Sequence, residues 1–383
     1  MTTSDKPSKI WSRRKLLKTA GTVAGVAVAA PWVMRGALGS SGELKFLGWA
    51  GYDEFPNVFK AFEAKTGIKV RFTGLGSQDE MVAQAKTGAA TNGAFDISEP
   101  TVDRLDSWLD NDFVQPWNEA KVNLGGVEPA FLQGTALTQA TRSGKRYCVT
   151  SVWGTEALTF NTKEAPLEYG KAKLADLLDD RFAGRLTVRT SSFLGTTARA
   201  LEVAGQLPHS YYDSFKDEAK MVANYDAVLK VLLPKRKNIG QFWSNENEAQ
   251  GAFRTNGCVI GHCWDTTAGA LMKEGLPIGY ISPMEGAAAW LQSFVLFKGA
   301  KNVEQAHAWA SWINSAEGGA AWARAFSANS TSKGAIELTS EQQKKFFKMA
   351  YPGDALSKLW WYPAQPSWFV TKRTEYAKKL QSA

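Results

Sequence analysis

This sequence predicts an α/β fold with two domains, and two observations carry the prediction. After residue 42 the chain alternates extended and helical segments, which is typical of a largely parallel sheet covered by helices. Even without its first 39 residues, the chain of 383 residues exceeds the roughly 250–300 residues that one hydrophobic core usually serves. We therefore expect two cores and two domains.

The first elements alternate strand and helix. Leu44–Trp49 alternates in polarity and runs into a glycine-rich turn, so it is the first expected strand. Phe55, Val58 and Phe62 recur at helical spacing, and Gly67 ends that helix. The further expected strands cover 69–73, 95–98, 146–152, 157–161, 185–190, 258–264 and 291–297. The further expected helices cover 77–88, 102–109, 195–205, 210–232, 246–255, 267–274, 302–315, 317–326 and 366–381.

The amino terminus has the pattern of a bacterial twin-arginine export signal. Arg13 and Arg14 precede an uncharged stretch, Thr19–Met34, that is rich in glycine and alanine, and Ala37-Leu38-Gly39 suits cleavage. A membrane anchor is the alternative, but a span needs roughly 20 apolar residues. We expect residues 1–39 to be a Tat-type signal peptide and the Tat translocase to be a partner during export. The mature chain is then periplasmic.

The basic character of the chain belongs largely to this signal. The whole chain carries 45 Lys and Arg against 37 Asp and Glu, a net charge of +8. Leaving out the seven basic residues and one acid of residues 1–39 leaves 38 basic and 36 acidic residues, a net charge of +2. Nucleic-acid binding needs clustered basic residues, so we expect no nucleic-acid partner.

The sequence shows no pattern that is typical of a disulfide framework, a metal site or a group of catalytic residues. Cys258 and Cys263 lie in one expected strand, too far apart to bridge, so with Cys148 we expect buried free thiols. The three histidines are scattered, without metal-ligand spacing. The chain also has no Gly-x-Ser-x-Gly elbow and no phosphate-binding loop. We expect no cofactor, no metal and no enzymatic activity.

Tryptophans are unusually frequent, and three of them end expected strands. Trp49, Trp153 and Trp264 are each followed by glycine or small residues, and the carboxyl ends of strands are where open α/β sheets bind ligands. An indole there stacks on a planar ligand or holds a cation. Packing between elements is the alternative, which stays open for these three. For the helical tryptophans we expect a core role. They are Trp108, Trp309, Trp312 and Trp322.

In order and spacing, several segments resemble the periplasmic solute-binding proteins of ABC importers (bacterial extracellular solute-binding family 1), most of all the spermidine/putrescine-binding branch. The resemblance begins at Leu47–Tyr52 and continues through Phe59–Val70. It extends over essentially all of 43–383. The other segments that carry it are Asp96–Asp103, Val149–Thr155, Asn256–Trp264, Met284–Trp290 and Ala300–Asn302.

This resemblance implies a type II periplasmic binding protein fold, in which two α/β lobes close over a ligand and two strands cross at the hinge. The crossings would fall near Trp153–Thr155 and near Trp264-Asp265. One lobe would comprise 40–154 and 266–326, the other 155–265 and 327–383. The protein would be a monomer that captures a small solute, by preference a polyamine or another organic cation. It would deliver the solute to a membrane permease.

The resemblance also implies which residues contact the ligand. It implies aromatic contacts from Trp49, Tyr52, Trp264 and Trp290, and the strand-end pattern adds Trp153. It implies polar contacts from Ser77, from Glu99 or Thr101, and from Asp265, and the hydroxyl cluster at a helix start adds Ser191 and Ser192. Glu99 and Asp265 would suit a cation, whereas a helix start such as Ser77 would suit an anion.

One departure leaves the ligand open. In polyamine binders the segment after a second-lobe strand carries acids, but here Thr190–Thr196 has none. Ser191, Ser192 and Thr196 at a helix start would instead receive a carboxylate or phosphate, or would only cap the helix. Three alternatives therefore remain. They are a receptor for an organic anion or amino-acid-like solute, an exported enzyme on this scaffold, and a binder of a metal or its chelate through Tyr211-Tyr212.

Overall fold

The computed structural model describes residues 42–383, so the expected signal peptide lies outside the described residues. The strands are β1 (Glu43–Trp49), β2 (Lys69–Leu75), β3 (Ile97–Ser98), β4 (Val114–Gln115), β5 (Thr141–Arg142), β6 (Lys145–Arg146), β7 (Val149–Asn161), β8 (Leu186–Val188), β9 (Ile239–Phe242), β10 (Ile260–Trp264), β11 (Ile278–Ile281), β12 (Ala288–Phe297), β13 (Asn329–Ser330) and β14 (Trp360–Trp361). The α-helices are α1 (Phe55–Thr66), α2 (Gln78–Gln84), α3 (Leu105–Leu109), α4 (Gly134–Ala140), α5 (Thr190–Val203), α6 (Glu218–Leu232), α7 (Glu246–Arg254), α8 (Asp265–Lys273), α9 (Val303–Ile313), α10 (Ala316–Phe326), α11 (Glu341–Ala350) and α12 (Ser367–Gln381).

One mixed sheet organises the chain, in the order β2-β1-β3-β12-β7-β10-β8-β9, with β4, β11, β13 and β14 attached beside this path. β1 pairs in parallel with β2 and β3, and β8 pairs in parallel with β9 and β10. The two parallel groups are joined by the antiparallel strands β7 and β12. This arrangement confirms the predicted α/β class.

β7 and β12 are the two strands that cross between the halves. β7 pairs with β12 from Val149 to Glu156 and continues along β10 to Phe160, while β12 reaches β3 through Val295. The first crossing therefore lies where it was predicted. The second prediction, at Trp264-Asp265, is wrong, because Trp264 ends β10 inside the second half and Asp265 begins α8.

Each half has its own hydrophobic core. In the first, Phe46 of β1 packs against Trp309 and Trp322, with ring centroids 5.8 and 6.0 Å apart. In the second, Phe193 and Tyr225 belong to a cluster that covers β8 and β10. A third cluster lies beside the outer face of β7, around α8, β11 and α11. The helical tryptophans are all buried, as predicted.

The start of α5 is the main local departure from the expected elements. The helix begins at Thr190, directly after β8, whereas the sequence predicted a beginning at 195. The sequence does not indicate this earlier start, because the first turn is rich in Ser and Thr, which are weak helix formers. The expected helix 210–232 likewise divides into a 3₁₀ turn and α6, which Asp217 caps through a bond from Lys220 N (3.1 Å).

The three cysteines are free and buried, as predicted. Among residues 42–383 no helix is long and apolar enough to cross a membrane. Within the same range no group of three or more His, Cys, Asp and Glu side chains is arranged to hold a metal ion.

Gly154 leaves no room for a side chain in the crossing strand. A Cβ at this position would overlap the Trp290 ring and the Asp265 carboxylate. We expect Gly154→Ala to lower the free energy of unfolding by about 1–3 kcal/mol, because both neighbours are buried. Urea denaturation measures the change. Gly251→Ala is the control, since a Cβ built at Gly251 meets no atom within 4 Å apart from its chain neighbours and the backbone of its own helix. Equal losses in both variants would contradict the prediction.

Candidate functional site

A cleft lies where side chains from the two halves meet. Its empty volume, counted to its open mouth, is about 770 Å³. Trp49 ends β1, Trp264 ends β10, Thr101 follows β3 and Arg189 follows β8, and all four line the cleft. The cleft is therefore built from the carboxyl ends of strands, the part of an open α/β sheet that commonly binds ligands.

Indole rings form much of the wall. Trp49 and Trp264 meet edge to face with centroids 6.1 Å apart, and Trp243 packs behind Trp264 at 4.7 Å. Trp49 Nε1 donates to the backbone oxygen of Glu99 (2.8 Å), which fixes the ring. Trp290 Nε1 is shielded from solvent and has no hydrogen-bond partner among residues 42–383.

Seven of the eleven residues expected to contact a ligand line this cleft. They are Trp49, Tyr52, Thr101, Ser191, Ser192, Trp264 and Trp290. Thr101 is held by Gln78, whose Oε1 accepts from Thr101 N and whose Nε2 donates to Thr101 Oγ1, both at 2.9 Å. The structure therefore brings together chain segments that the sequence places far apart.

The other four expected residues lie outside the lining. Ser77 caps α2, where its Oγ accepts from Glu80 N (3.2 Å). Trp153 packs against Tyr351, with centroids 5.7 Å apart, on the side of the third core. Both expected acids, Glu99 and Asp265, are fully buried.

These two acids are held in apolar surroundings that favour their neutral forms. Burial raises the pKa of Glu99 to about 8, although bonds from Trp322 and Ser151 act in the opposite direction. Burial likewise raises the pKa of Asp265 to about 7, against a bond from Tyr351 Oη (2.8 Å). Neither side chain therefore presents an ionised carboxylate to the cleft.

Glu156 is the carboxylate that the sequence analysis missed. It lies in β7 and lines the cleft, where its Oε1 accepts from Ser192 Oγ and faces His262 Nδ1 at 3.4 Å. Its Oε2 accepts from Tyr362 Oη (3.3 Å). Although burial raises it, the pKa of Glu156 is held below its usual value by His262, Arg189 and Ser192. The sequence pattern that could have identified Glu156 is a single acidic residue within an otherwise uncharged, buried strand.

The remaining charges of the lining come from positions that were not expected to contact a ligand, although Asp103 lies in the segment Asp96–Asp103 that carries the resemblance. Asp103 accepts from Gln365 Nε2 (2.6 Å), and Arg104, Arg189 and Arg373 reach the same cleft. Burial raises the pKa of Asp103. Arg104 and Arg373 lie on helical segments near opposite ends of the chain, so periodicity alone does not place them together.

Comparison with known proteins identifies relatives over most of the chain. Residues 57–350 match the sequence profile of the family described as bacterial extracellular solute-binding protein. The spermidine/putrescine-binding periplasmic protein of Escherichia coli K12 is 25% identical over 299 residues, 78% of this chain and 78% of that protein. The putrescine-binding periplasmic protein PotF of the same organism is 25% identical over 378 residues, 94% of this chain and 97% of that one.

A solved structure has the same fold. The structure of a putative spermidine/putrescine ABC transporter from Listeria monocytogenes superposes with a TM-score of 0.72 at 20% identity, covering 89% of this chain and 99% of that one. At this level of identity the likeness shows the fold. It is the two-lobed fold, which agrees with the two halves and the crossing strands described above.

Proposed function

The chain belongs to the family of bacterial extracellular solute-binding proteins, and from that premise we propose that it is the receptor of an ABC importer that captures a small organic amine in its cleft. The observation that carries this proposal is the cleft itself, in which indoles and the Glu156 carboxylate face one space. Relatives named for spermidine and putrescine favour an amine as the ligand. The protein captures its solute and does not transform it.

The aromatic wall and Glu156 suit an ammonium group. A cation against an indole face gains about 0.5–2 kcal/mol, more when water is excluded. Glu156 supplies a carboxylate whose lowered pKa keeps it ionised at neutral pH. The aliphatic part of an amine would lie along the Trp49 and Trp290 rings, where apolar contact is favourable.

Closure of two lobes is the mechanism that we propose. The sequence predicts lobes of 40–154 with 266–326, and of 155–265 with 327–383. Because β11 pairs with β7 at Leu158–Asn161 and the second crossing strand is β12, we propose that 266–281 belongs to the second lobe and that β7 and β12 join the two lobes. A solute that contacts both lobes binds the closed form more tightly and shifts the population towards it. The permease of the inner membrane would then recognise the closed form.

Export follows from the same proposal. The twin-arginine pattern at Arg13 and Arg14 supports passage through the Tat translocase and a periplasmic location of the mature chain, which we propose to be a monomer. A fusion of residues 1–39 to a reporter that is active only after Tat export tests this. Arg13→Lys with Arg14→Lys should abolish export, and undiminished export of that variant would contradict it.

Trp264 gives the sharpest test of the proposed cleft. We expect Trp264→Ala to weaken putrescine binding about tenfold or more, because Trp264 lines the cleft and supports the Trp49 ring from its edge. Isothermal titration calorimetry measures the dissociation constant. Trp368→Ala is the control, since Trp368 lies on α12 outside the lining.

A broad screen tests the function without assuming the ligand. Amines, amino acids, sugars and organic anions are added singly, and bound solute raises the melting temperature by mass action. Native mass spectrometry of protein purified from its source would show any retained solute directly. The proposal fails if no small solute shifts the melting temperature while a hydrolase assay is positive.

A further inference from the structure

Three arginines converge on the cleft. Arg104 ends a 3₁₀ turn after β3, Arg189 precedes α5, and Arg373 lies in the middle of α12. All three line the cleft, where the acids of the lining are Asp103 and Glu156. A site made only for a polyamine would carry an excess of acids, whereas here guanidinium groups outnumber carboxylates.

Arg189 is held in place by ring contacts, and together with His262 its charge lowers the pKa of the neighbouring Glu156. Its guanidinium lies over the Trp264 ring at 4.9 Å and near the Trp243 ring at 5.8 Å. Among residues 42–383 its side chain has no hydrogen bond and no ion pair. Stacking on an indole leaves the donors at the guanidinium edge free to bind a carboxylate or phosphate in two-pronged fashion.

Arg104 and Arg373 are buried, and each has a guanidinium N–H donor that forms no hydrogen bond within the described residues. Arg104 is 4% exposed and forms one ion pair, from Nη2 to Asp79 Oδ1 (2.6 Å). Arg373 is 9% exposed, and its Nη1 donates to the neutral Gln365 amide (2.5 Å). In the described part of the chain the Nε atoms of both have no hydrogen-bond partner. Arg104 is already paired with Asp79, whereas the buried Arg373 has no carboxylate partner in the described part of the chain. Unpaired buried charge is unfavourable, and a bound anion would give Arg373 that partner.

The start of α5 adds a second feature that an anion would complete. Arg189 is the N-cap of this 14-residue helix and makes no side-chain capping bond. A cation is unfavourable at a helix N-terminus, where the backbone N–H groups already carry partial positive charge. Ser191 and Ser192 of the first turn line the same cleft, and because Ser192 Oγ already donates to Glu156 Oε1, the helix start lies directly beside that carboxylate. An anion placed there would face both the guanidinium and the helix end.

We propose that the amine captured by this protein also carries an acidic group, a carboxylate or a phosphate, which Arg189 receives at the start of α5 with Arg104 and Arg373 beside it. This inference rests on the proposed function, since it divides the cleft into an amine side at Glu156 and an anion side at Arg189. The solute class is then an aliphatic amine with an anionic end.

Three probes of similar size test the inference by calorimetry on the full purified chain, after exchange to remove bound solute. Putrescine has two amines across four carbons, 4-aminobutyrate replaces one amine with a carboxylate, and O-phosphoethanolamine carries an amine and a phosphate. We expect at least one amphoteric probe to bind about tenfold more tightly than putrescine. The better of the two distinguishes a carboxylate from a phosphate.

Substitutions at Arg189 test whether this residue binds the anionic group of the solute. Arg189→Met keeps an unbranched stem on Trp264 and should remove the preference over putrescine, while Arg189→Lys should retain part of it. Arg185→Met is the matched control, because Arg185 precedes the same strand and pairs with Glu164 outside the cleft. It should leave binding unchanged.

The outcomes separate the two proposals. If putrescine binds at least as tightly as both amphoteric probes, or if Arg189→Met leaves the preference intact, the inference is overturned while the receptor function stands. If neither amphoteric probe binds, the inference is overturned as well; the amine-receptor proposal fails only if, in addition, no amine of the broad screen raises the melting temperature.

Discussion

Replacing Asp96 with alanine should lower the free energy of unfolding by about 4 kcal/mol, the largest loss expected from one side chain here. Asp96 is fully buried, and its carboxylate accepts four N–H bonds. These come from Lys45 N (2.8 Å), Lys301 N (2.9 Å), Asn302 N (2.9 Å) and Asn302 Nδ2 (2.9 Å). One carboxylate therefore joins β1, β3 and the turn before α9.

Urea denaturation of three variants measures this contribution. Asp96→Asn keeps one carbonyl oxygen as an acceptor and should fall between wild type and Asp96→Ala. Asp53→Ala is the surface control, since Asp53 is exposed, and it should change stability by less than about 0.5 kcal/mol. A loss in Asp96→Ala as small as that in the control would contradict the assigned role.

Replacing Glu99 with glutamine should remove a loss of stability that the wild-type protein shows as pH rises. Glu99 Oε1 accepts from Ser151 Oγ (2.7 Å) and Trp322 Nε1 (2.8 Å), whereas Oε2 has no partner in the described range. Burial raises the pKa of this carboxyl from its model-peptide value of 4.5 to about 8. The folded state therefore holds the proton more tightly than the unfolded state.

The sign of the effect follows from proton linkage. The stabilisation by the protonated Glu99 is fully present below pH 4.5 and is lost as pH rises towards 8, by roughly 4 kcal/mol. Asp265, whose pKa is raised to about 7 by burial, contributes in the same direction. The stability of Glu99→Gln minus that of wild type isolates Glu99, and it should rise between pH 5 and 8.

Denaturation at a series of pH values measures that difference curve. Glu375→Gln, which removes an exposed carboxylate on α12, should give a flat curve. If Glu99→Gln also gives a flat curve, Glu99 is ionised in the folded protein across this range. The buried acid would then need a partner that the fold does not supply.

Part of the expected binding site could be predicted from the sequence, because a tryptophan at the end of an expected strand is a local pattern. Trp49 and Trp264 each close a strand, and the carboxyl ends of both strands lie at the cleft. Glu99 and Asp265 stand beside such ends too, but both side chains are turned into the cores. Successive residues of an extended segment point to opposite faces, so being near a strand end does not decide which face a side chain takes.

The second crossing strand shows another limit of local patterns. β12 was expected as a strand at 291–297, and it begins three residues earlier at Ala288. A fully buried strand loses its polar alternation, so the sequence does not show which partners it has. Only the pairing with β3 and β7 identifies it as the hinge.

The sequence by itself determined the family, the α/β class and the positions of tryptophans at strand ends. Each of these can be read from a short segment that has its own periodicity or motif. The tertiary structure alone decided which charged side chains line the cleft. Arg104, Glu156, Arg189 and Arg373 meet only after strands from both halves have paired and α12 has packed beside α5. Electrostatic recognition depends on distances through space, and those are set by the packing of elements remote in the chain.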